Sequence, residues 1–332
     1  MIATTITIKI WEFELDRTSD IDSQAQLCEF TSEFLRSFQP VKILGIGGYG
    51  CVFEAEKSID KRVKWKRAVK RIALKGRPQD VDNALREVEA LVKLDHPGIV
   101  RFHNAWKEMP PAGWQRYSDK NLFAEELDIS ELTNRFFSYR DDSIFLYIEM
   151  ELCDSTLAQW LFDNTVRVLD RSKMWFRQIV SAVDYIHELQ YIHRDLKPSN
   201  ILFAGPDRLK ICDLGIVTNR LIINEDGDRE ISKSRSFAVG TPMYMAPEQR
   251  GIAGYSSKVD IFALGLIFAQ LCVVMTMQQA MKVFDDYREG KTTSIIDFPP
   301  GVGEFVAWLT NVRDSERPEC KDILKHPFLV YN

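Results

Sequence analysis

The glycine-rich segment Gly45-Ile46-Gly47-Gly48-Tyr49-Gly50-Cys51-Val52 limits the fold of this chain more than any other feature. It fits the pattern G-x-G-x-x-G-x-V and lies between two strand-like runs, QPVKILG and CVFEAEKS. A dinucleotide-binding fold would need a helix directly after the glycines, whereas a strand follows here. The pattern therefore predicts a β-hairpin, in which glycine lets the backbone come close to the phosphates of a nucleotide.

Residues 39–153 are predicted to form mostly strands, with one helix. The runs KRAVKRIAL, IVRFHNAWKE and SIFLYIEMEL are rich in β-branched and aromatic residues, as strands are. Apolar residues at helical spacing from Val81 to Leu94 predict the helix, which ends at Asp95-His96-Pro97-Gly98. Residues 108–142 are polar, irregular and too long for an ordinary connection. We interpret them as an insertion or a partly mobile loop.

Helical periods dominate from Leu157 onward, as in MWFRQIVSAVDYIHEL. The sequence therefore predicts an α+β protein with an N-terminal extension over residues 1–38. A small β-rich lobe would follow over residues 39–153, and a larger, mainly α-helical lobe over residues 154–332.

Composition excludes several classes of function. The net charge of −5 gives no general attraction for nucleic acid or an anionic membrane. The basic run from Lys61 to Arg71 could contact RNA or serve as a nuclear import signal, but we interpret it as a solvated turn between two strands. The six cysteines are scattered, so the sequence predicts neither a zinc site nor a disulfide framework. Reduced cysteines favour the cytosol or the nucleus, and we expect a cytoplasmic protein.

Membrane insertion is not expected either. The apolar run after Asp260 approaches the roughly 20 residues of a membrane span, but its second half is polar, so a buried core helix is expected. The first residues of the chain lack the basic and apolar regions of a signal peptide, and the alternation of Ile6, Ile8 and Ile10 predicts a strand.

Several short motifs follow the glycine-rich segment in a fixed order. They are Ala68-Val69-Lys70, Glu87, His193-Arg194-Asp195-Leu196-Lys197-Pro198-Ser199-Asn200, Asp213-Leu214-Gly215 and Ala246-Pro247-Glu248. Each alone has a structural explanation, such as a surface lysine, a turn aspartate or a helix cap. Together they are typical of one family, and residues 39–330 resemble the eukaryotic protein kinases. The resemblance implies the bilobal protein-kinase fold, with a small β-rich N-lobe that carries one regulatory helix and a larger, mainly α-helical C-lobe.

The resemblance also implies catalytic roles. Lys70 would hold the α and β phosphates of ATP, and Glu87 would hold Lys70 in place. Asp195 would accept the proton of the substrate hydroxyl. Lys197, which is typical of the serine/threonine branch, would contact the γ phosphate.

ATP and Mg²⁺ are the nucleotide and the cofactor that the resemblance implies. Asn200 and Asp213 would bind the Mg²⁺ ions. The residues expected around ATP are Gly45, Ile46, Gly47, Gly48, Tyr49, Gly50, Val52, Ala68, Lys70, Met150, Glu151, Cys153 and Leu202. Among these, the apolar side chains would also be explained by plain core packing, since an adenine pocket is apolar core left unfilled.

A finer resemblance is to the kinases of the alpha subunit of eukaryotic translation initiation factor 2, most closely the PERK branch. It is carried by His96-Pro97-Gly98-Ile99-Val100-Arg101, Asn104-Ala105-Trp106, Pro110-Pro111, Trp114-Gln115, Tyr147–Cys153, Met245-Ala246-Pro247-Glu248-Gln249 and Lys258-Val259-Asp260-Ile261-Phe262. The resemblance implies this subunit as protein substrate. It also implies a possible homodimer. The related kinases form this dimer with an Arg and an Asp, and this chain has Glu33 and Ser37 at those two positions. Residues 276–290 resemble the helix that docks the initiation factor, with Ala280 where a relative has threonine.

Regulation and the supporting ion pairs complete these expectations. Arg194 before Asp195 suggests control by phosphorylation of the loop after Asp213, with Ser232, Ser234, Ser236 and Thr241 as candidates; a polar loop with incidental serines is the alternative. Thr241 also lies where the serine/threonine branch contacts its substrate. Asp260 is expected to anchor the catalytic loop, and Arg317 to pair with Glu248.

Two other functions remain open. One is a Wee1-like cell-cycle kinase with another protein substrate, because Asp213-Leu214-Gly215 followed by Val217-Thr218 also resembles that group. The other is a pseudokinase that only binds partners. A pseudokinase would have lost a catalytic residue, whereas Lys70, Asp195 and Asp213 are present.

Overall fold

A computed structural model of the chain describes residues 30–47, 50–59, 62–74, 78–123, 136–137, 139–213, 218–219, 242–250 and 255–330. The first part of the chain forms a five-stranded antiparallel sheet with the strand order β1-β2-β3-β5-β4. The strands are β1 (Gln39–Gly47), β2 (Gly50–Ile59), β3 (Val63–Leu74), β4 (Phe102–Glu108) and β5 (Ile144–Glu151). The strands predicted from the sequence in this region are confirmed.

The glycine-rich hairpin joins β1 and β2, with Gly47 paired to Gly50. Gly50 has a φ of +126°, and a Cβ atom there would collide with the carbonyl oxygen of Arg71 on β3. Only glycine combines that backbone conformation with the close approach. The predicted hairpin is therefore confirmed, while Gly48 and Tyr49 at its tip lie outside the described residues.

The basic run begins at the turn before β3 and continues along that strand. Lys64 pairs with Glu56 at 2.6 Å, Lys66 with Glu54 at 2.6 Å, and the Nε of Arg67 with Glu149 at 3.2 Å. Most of the run is thus a strand, not the solvated turn expected from the sequence. Its positive charges face carboxylates of the neighbouring strands β2 and β5.

Among the described residues, three helices accompany the sheet, namely α1 (Glu33–Ser37), α2 (Pro78–Lys93) and α3 (Trp114–Phe123). α2 confirms the predicted helix, and its apolar residues join the core shared with the second part of the chain. α1 and α3 lie against a second apolar core on the opposite face of the sheet, which includes Phe53 and Tyr147. The expectation of irregular structure is therefore wrong for Trp114–Phe123, which forms an ordered helix with a buried face.

The second part of the chain is mainly helical, as predicted. Its helices are α4 (Leu157–Asp163), α5 (Leu169–Glu188), α6 (Lys258–Cys272), α7 (Met277–Arg288), α8 (Val302–Leu309), α9 (Cys320–Lys325) and α10 (Pro327–Val330). α6 is apolar on all sides and buried along nearly its whole length, as expected for a core helix. Within the described ranges, each helix is too short or too polar to cross a membrane.

Short strands in the second part of the chain flank the loops that contain Asp195 and Asp213. β6 (Ser155–Thr156), β8 (Ile201–Phe203) and β9 (Leu209–Ile211) form one small sheet, and β7 (Tyr191–Ile192) pairs with β10 (Thr218–Asn219). Backbone hydrogen bonds join the two parts of the chain. Ile211 on β9 accepts a hydrogen bond from the N–H of Val100 at 2.9 Å and donates one to the carbonyl of Gly98 at 2.8 Å.

Candidate active site

Lys70 reaches from the sheet to the second part of the chain. On β3 it pairs with Val52 of β2 and Ile148 of β5, so these side chains share the face of the sheet opposite to the second core. The Nζ of Lys70 donates a hydrogen bond to the Oδ1 of Asp213 at 3.0 Å. The structure thus brings together two residues that the sequence placed in the site, 143 positions apart.

Asp213 lies two residues after the end of β9 and has a φ of +60°. Aspartate tolerates this left-handed backbone conformation better than most residues. Burial by itself raises the pKa of Asp213, but the charge and the hydrogen bond of Lys70 outweigh burial and hold this pKa below its usual value. The carboxylate is consequently ionised at neutral pH, as a ligand for a cation has to be.

The loop after β7 places Asp195 and its neighbours beside this pair. The Nζ of Lys197 donates to the Oδ2 of Asp195 at 2.6 Å. The Nδ2 of Asn200, at the end of the 3₁₀ turn Pro198–Asn200, donates to the same Oδ2 at 3.2 Å and to the backbone carbonyl of Asp195 at 2.9 Å. The carboxylate is buried, and these donors from its own loop hold it in one orientation.

Asp260 at the start of α6 anchors this loop from below. Its Oδ2 accepts the backbone N–H of His193 at 2.9 Å, and its Oδ1 accepts that of Arg194 at 2.8 Å. The ring of His187 adds a contact of 2.8 Å to Oδ2. Burial favours a raised pKa for Asp260, but the hydrogen bond from His187 and the nearby imidazoles keep it lowered. The anchoring role expected for Asp260 is confirmed.

Apolar residues lie on the same face of the sheet as Lys70. Ala68 is opposite Met150 across β3 and β5, and the alternation along β3 puts both on the face that carries Lys70. Leu202 lies on β8 in the second part of the chain. Val52, Met150 and Leu202 are only partly buried, so part of their apolar surface stays accessible.

The segment that connects the two parts contains Glu151 and Cys153. The Oε1 of Glu151 accepts a hydrogen bond from the Nζ of Lys210 on β9 at 2.6 Å and one from the backbone N–H of Arg101 at 2.6 Å. Burial raises the pKa of the Cys153 thiol to about 12, so it is protonated at neutral pH. Lys210 was missed in the sequence, although a lysine within the apolar strand LKI, three residues before Asp213, was a signal for a buried ion pair.

The Arg317 and Glu248 side chains form the expected buried pair in the second part. Two hydrogen bonds, of 2.5 and 3.0 Å, join them. Arg317 also donates to the carbonyls of Asn311 and Lys258. It therefore ties the 3₁₀ turn Pro247–Arg250 to the start of α6.

Several expected site residues fall outside what the structure describes. Gly48, Tyr49, Leu214, Gly215, Ser232, Ser234, Ser236 and Thr241 lie outside the described residues. The backbone of Glu87 belongs to α2, but its side chain is not described. The described site thus consists of Lys70, Asp195, Lys197, Asn200 and Asp213, with the glycine hairpin and the apolar residues around them.

The order of these elements matches a known family. The protein kinase domain profile matches residues 38–329. The interferon-induced, double-stranded RNA-activated protein kinase of Mus musculus is 32% identical over 93% of this chain and 54% of its own length. The eukaryotic translation initiation factor 2-alpha kinase pek-1 of Caenorhabditis elegans is 25% identical over 92% of this chain and 45% of its own length. The eIF-2-alpha kinase GCN2 of Arabidopsis thaliana is 29% identical over 90% of this chain and 25% of its own length.

The two relatives that are named as initiation factor 2-alpha kinases confirm the resemblance to that group. The chain spans only between a quarter and about half of the length of these three relatives. The bilobal α+β architecture and the family profile agree with each other over nearly the whole described chain. The chain belongs to the protein kinase family.

Proposed function

We propose that this chain is a serine/threonine protein kinase that transfers the γ phosphate of ATP to the alpha subunit of translation initiation factor 2. The observation that carries the proposal is the contact of Lys70 with Asp213 beside the cluster of Asp195, Lys197 and Asn200. Relatives that are named as initiation factor 2-alpha kinases support the substrate.

The phosphate end of ATP would lie beneath the glycine hairpin. The backbone of Gly45, Gly47 and Gly50 can approach the phosphates closely, and Lys70 would bind the α and β phosphates. Glu87 would hold Lys70 from α2 when the nucleotide draws Lys70 away from Asp213. Adenine would fill the apolar space between the sheet and Leu202, with hydrogen bonds to backbone from Glu151 to Cys153.

Asp213 and Asn200 fit a magnesium site. Mg²⁺ prefers oxygen ligands and is usually bound by one or two carboxylates together with substrate phosphates. Asp213 offers an ionised carboxylate, and the amide nitrogen of Asn200 is used on Asp195, which leaves the amide oxygen as the ligand atom. Bound Mg²⁺ would neutralise the charge that develops on the transferred phosphate.

Asp195 would orient the substrate hydroxyl and accept its proton. In the reaction the hydroxyl oxygen forms a bond to the γ phosphorus, while the bond from that phosphorus to the β–γ bridging oxygen breaks and ADP leaves with the electron pair. The proton of the hydroxyl passes to the carboxylate of Asp195. Lys197, which already lies 2.6 Å from that carboxylate, would stabilise the negative charge of the γ phosphate.

The docking surface for the initiation factor would be the exposed side of α7. Met277 and Met281 are four residues apart on this helix and are 68% and 53% exposed. Residues at this spacing share one helix face. Together with the resemblance of residues 276–290 to the docking helix of the initiation factor kinases, this apolar face supports the substrate and with it a cytoplasmic site of action.

Regulation and self-association are part of the same proposal. Phosphorylation at Ser232, Ser234, Ser236 or Thr241 would supply a negative charge for Arg194, whose backbone is fixed by Asp260. A homodimer is proposed only on the resemblance.

The test is transfer of labelled phosphate from Mg·ATP by the purified chain, with the initiation factor alpha subunit and a generic basic peptide offered in parallel. Labelling of a serine in the initiation factor is expected, and Asp195→Asn should lower its rate by about 10² to 10⁴. Labelling of the peptide alone would contradict the substrate. Nucleotide binding without any transfer would favour the pseudokinase.

A matched pair of variants tests the docking surface. Met277→Lys should reduce labelling of the initiation factor while leaving the generic peptide unaffected. Gln278→Lys adds the same charge at the adjacent exposed residue and should leave both substrates unaffected. Equal labelling of the initiation factor by the two variants would show that the apolar face does not dock it.

A further inference from the structure

A buried ion pair joins the insertion to the strand that carries Lys70. The two terminal nitrogens of Arg71 each donate to one carboxylate oxygen of Asp119 on α3, both at 2.7 Å. The side chains of Arg71 and Asp119 are only 4% and 1% exposed. A bidentate guanidinium–carboxylate pair of this kind fixes direction as well as distance.

Each oxygen of the Asp119 carboxylate accepts two hydrogen bonds. Oδ1 also accepts a hydrogen bond from the side-chain amide of Gln115 at 2.9 Å, and Oδ2 accepts one from the hydroxyl of Tyr139 at 2.6 Å. Gln115 in turn accepts a hydrogen bond from the hydroxyl of Tyr147 on β5. The pair is therefore the centre of a connected polar network that reaches from α3 to two strands of the sheet.

Aromatic rings enclose the guanidinium of Arg71. Its central carbon lies between 5.1 and 5.7 Å from four ring centroids, those of Phe53, Phe136, Tyr139 and Phe145. Cations are attracted to the faces of such rings, most strongly where water is excluded. Because the rings come from β2, β5 and the end of the insertion, the cage holds Arg71 against movement in several directions.

The position of Arg71 in the sequence gives this network a consequence for the active site. Side chains alternate along a strand, so Arg71 lies on the outer face of β3 while the adjacent Lys70 lies on the face toward Asp213. A movement of β3 along or across the sheet displaces both residues together. The depth to which Lys70 reaches is thus coupled to the place where α3 holds Arg71.

Stability alone does not account for an ion pair at this place. Apolar residues of similar volume can often replace a buried ion pair without loss of stability, because desolvation offsets most of the attraction between the charges. An ion pair with fixed geometry does differ from apolar packing in one respect, which is that it permits only one relative position of the two elements.

We propose that Arg71 and Asp119 are positioning residues that set the reach of Lys70 toward the ATP phosphates, so that the insertion is part of the machinery of phosphate transfer. This inference rests on the proposed function of Lys70. Active sites generally need their groups held to within about 0.5 Å, and residues locked by packing and hydrogen bonds provide this support.

The test compares kcat/KM for Mg·ATP, measured by steady-state kinetics, between the wild type and folded variants. Arg71→Met combined with Asp119→Leu replaces the pair by apolar residues, and kcat/KM for Mg·ATP should fall about tenfold, within the 10²-fold that a 1 Å misplacement can cost. Arg71→Lys, which keeps the charge but loses the bidentate geometry, should lower kcat/KM by a smaller factor. Each rate is measured well below the thermal midpoint of that variant.

Lys120→Ala is the matched control. Lys120 also lies on α3 and carries a positive charge, but its side chain is exposed. It should leave kcat/KM unchanged. If either Arg71 variant is folded and retains the wild-type kcat/KM, the pair is structural only and the inference is overturned.

Failure of the proposed function would give a different result. If the wild-type chain transfers no phosphate to any substrate, the kinase proposal fails, and the same variants are compared by titration with a fluorescent ATP analogue. The affinity for that analogue should then fall in both Arg71 variants and not in Lys120→Ala. Equal affinity in all of them would overturn the positioning role.

Discussion

At the scale of single residues, the side chain of Asp195 is held in one orientation by other residues of its own loop. Lys197 and Asn200 hold its carboxylate, whereas the phosphates would be bound by Lys70 at a separate position. Asp195→Asn keeps the shape of the side chain but removes the carboxylate that we propose as the base. We expect kcat to fall by about 10² to 10⁴, the usual contribution of a positioned acid or base, while nucleotide affinity stays nearly unchanged.

Phosphate transfer and calorimetric titration with nucleotide check this prediction. Asp142→Asn is the control, because Asp142 is exposed and pairs only with Arg140 in the part of the chain that the structure describes. It should behave as the wild type in both measurements. Normal turnover by Asp195→Asn would show that the base lies elsewhere.

His96 makes the stability of the chain depend on pH. Its Nδ1 accepts a hydrogen bond from the N–H of Gly98 at 3.0 Å, and this requires an unprotonated nitrogen. Burial, and then the positive charge of Lys210, hold the pKa of His96 below its usual value. The unfolded chain therefore binds this proton more readily, and the stability that His96 contributes is present above about pH 6.5 and is lost as the pH falls through the lowered pKa.

The expected outcome is a thermal midpoint that decreases between about pH 7.5 and about pH 5.5. His96→Asn should make this decrease smaller, because the amide oxygen of asparagine can accept the same hydrogen bond without titrating. His103, whose pKa is also lowered by burial first, keeps its contribution in both proteins. Parallel curves for wild type and variant would contradict the role of His96.

At the scale of elements, the contact of α6 with α8 depends on one small residue. A Cβ atom at Gly265 in α6 would lie 2.6 Å from the Cγ2 of Thr310 and 3.0 Å from the Cβ of Leu309. Thr310 cannot rotate freely, because its hydroxyl donates to the carbonyl of Val306 at 2.8 Å. Gly265→Ala should therefore reduce the free energy of unfolding by about 1 to 3 kcal/mol, the usual cost of overpacking.

Urea denaturation measures this change. Thr310→Ser removes the obstructing methyl group and keeps the hydroxyl, so the double variant should regain part of the loss. Gly303→Ala in α8 is the control, since its Cβ would meet the ring of Phe298 at 3.7 Å, an ordinary contact. Equal stability of Gly265→Ala and wild type would mean that the two helices can move apart at little cost.

The elements of the sheet and the core helices were accessible from the sequence because their patterns are local. Short runs rich in β-branched and aromatic residues predicted β3 and β5, and helical spacing predicted α2. Helix α3 was not accessible. In the sequence, the polar residues Gln115 and Asp119 are typical of a protein surface. Asp119 pairs with Arg71, which is 48 positions away, and no local pattern shows this contact. For the same reason the second apolar core, which includes Phe53, was not predicted.

At the scale of the whole molecule, the site exists only where the two parts of the chain meet. The order of motifs predicted that Lys70, Asp195, Asn200 and Asp213 belong together, and the structure brings Lys70 to Asp213 and Asn200 to Asp195. The sequence did not show how the parts are joined. That depends on the backbone hydrogen bonds of Ile211, which side-chain patterns do not reveal. It also depends on the ion pair of Lys210 with Glu151, for which the sequence signalled a buried lysine but not its partner.

Lys210→Met tests whether this junction supports nucleotide binding. The variant leaves Glu151 with the backbone N–H of Arg101 and without its cation, at the segment proposed to bind adenine. Because the catalytic loop is anchored separately through Asp260, we expect KM for ATP to rise several-fold while kcat stays close to that of the wild type, as for a loss of uniform binding. Steady-state kinetics with varied ATP at saturating peptide measure both quantities. A fall in kcat at unchanged KM would instead mean that the pair of Lys210 and Glu151 acts on Asp213, three residues further along the chain, and not on the adenine pocket.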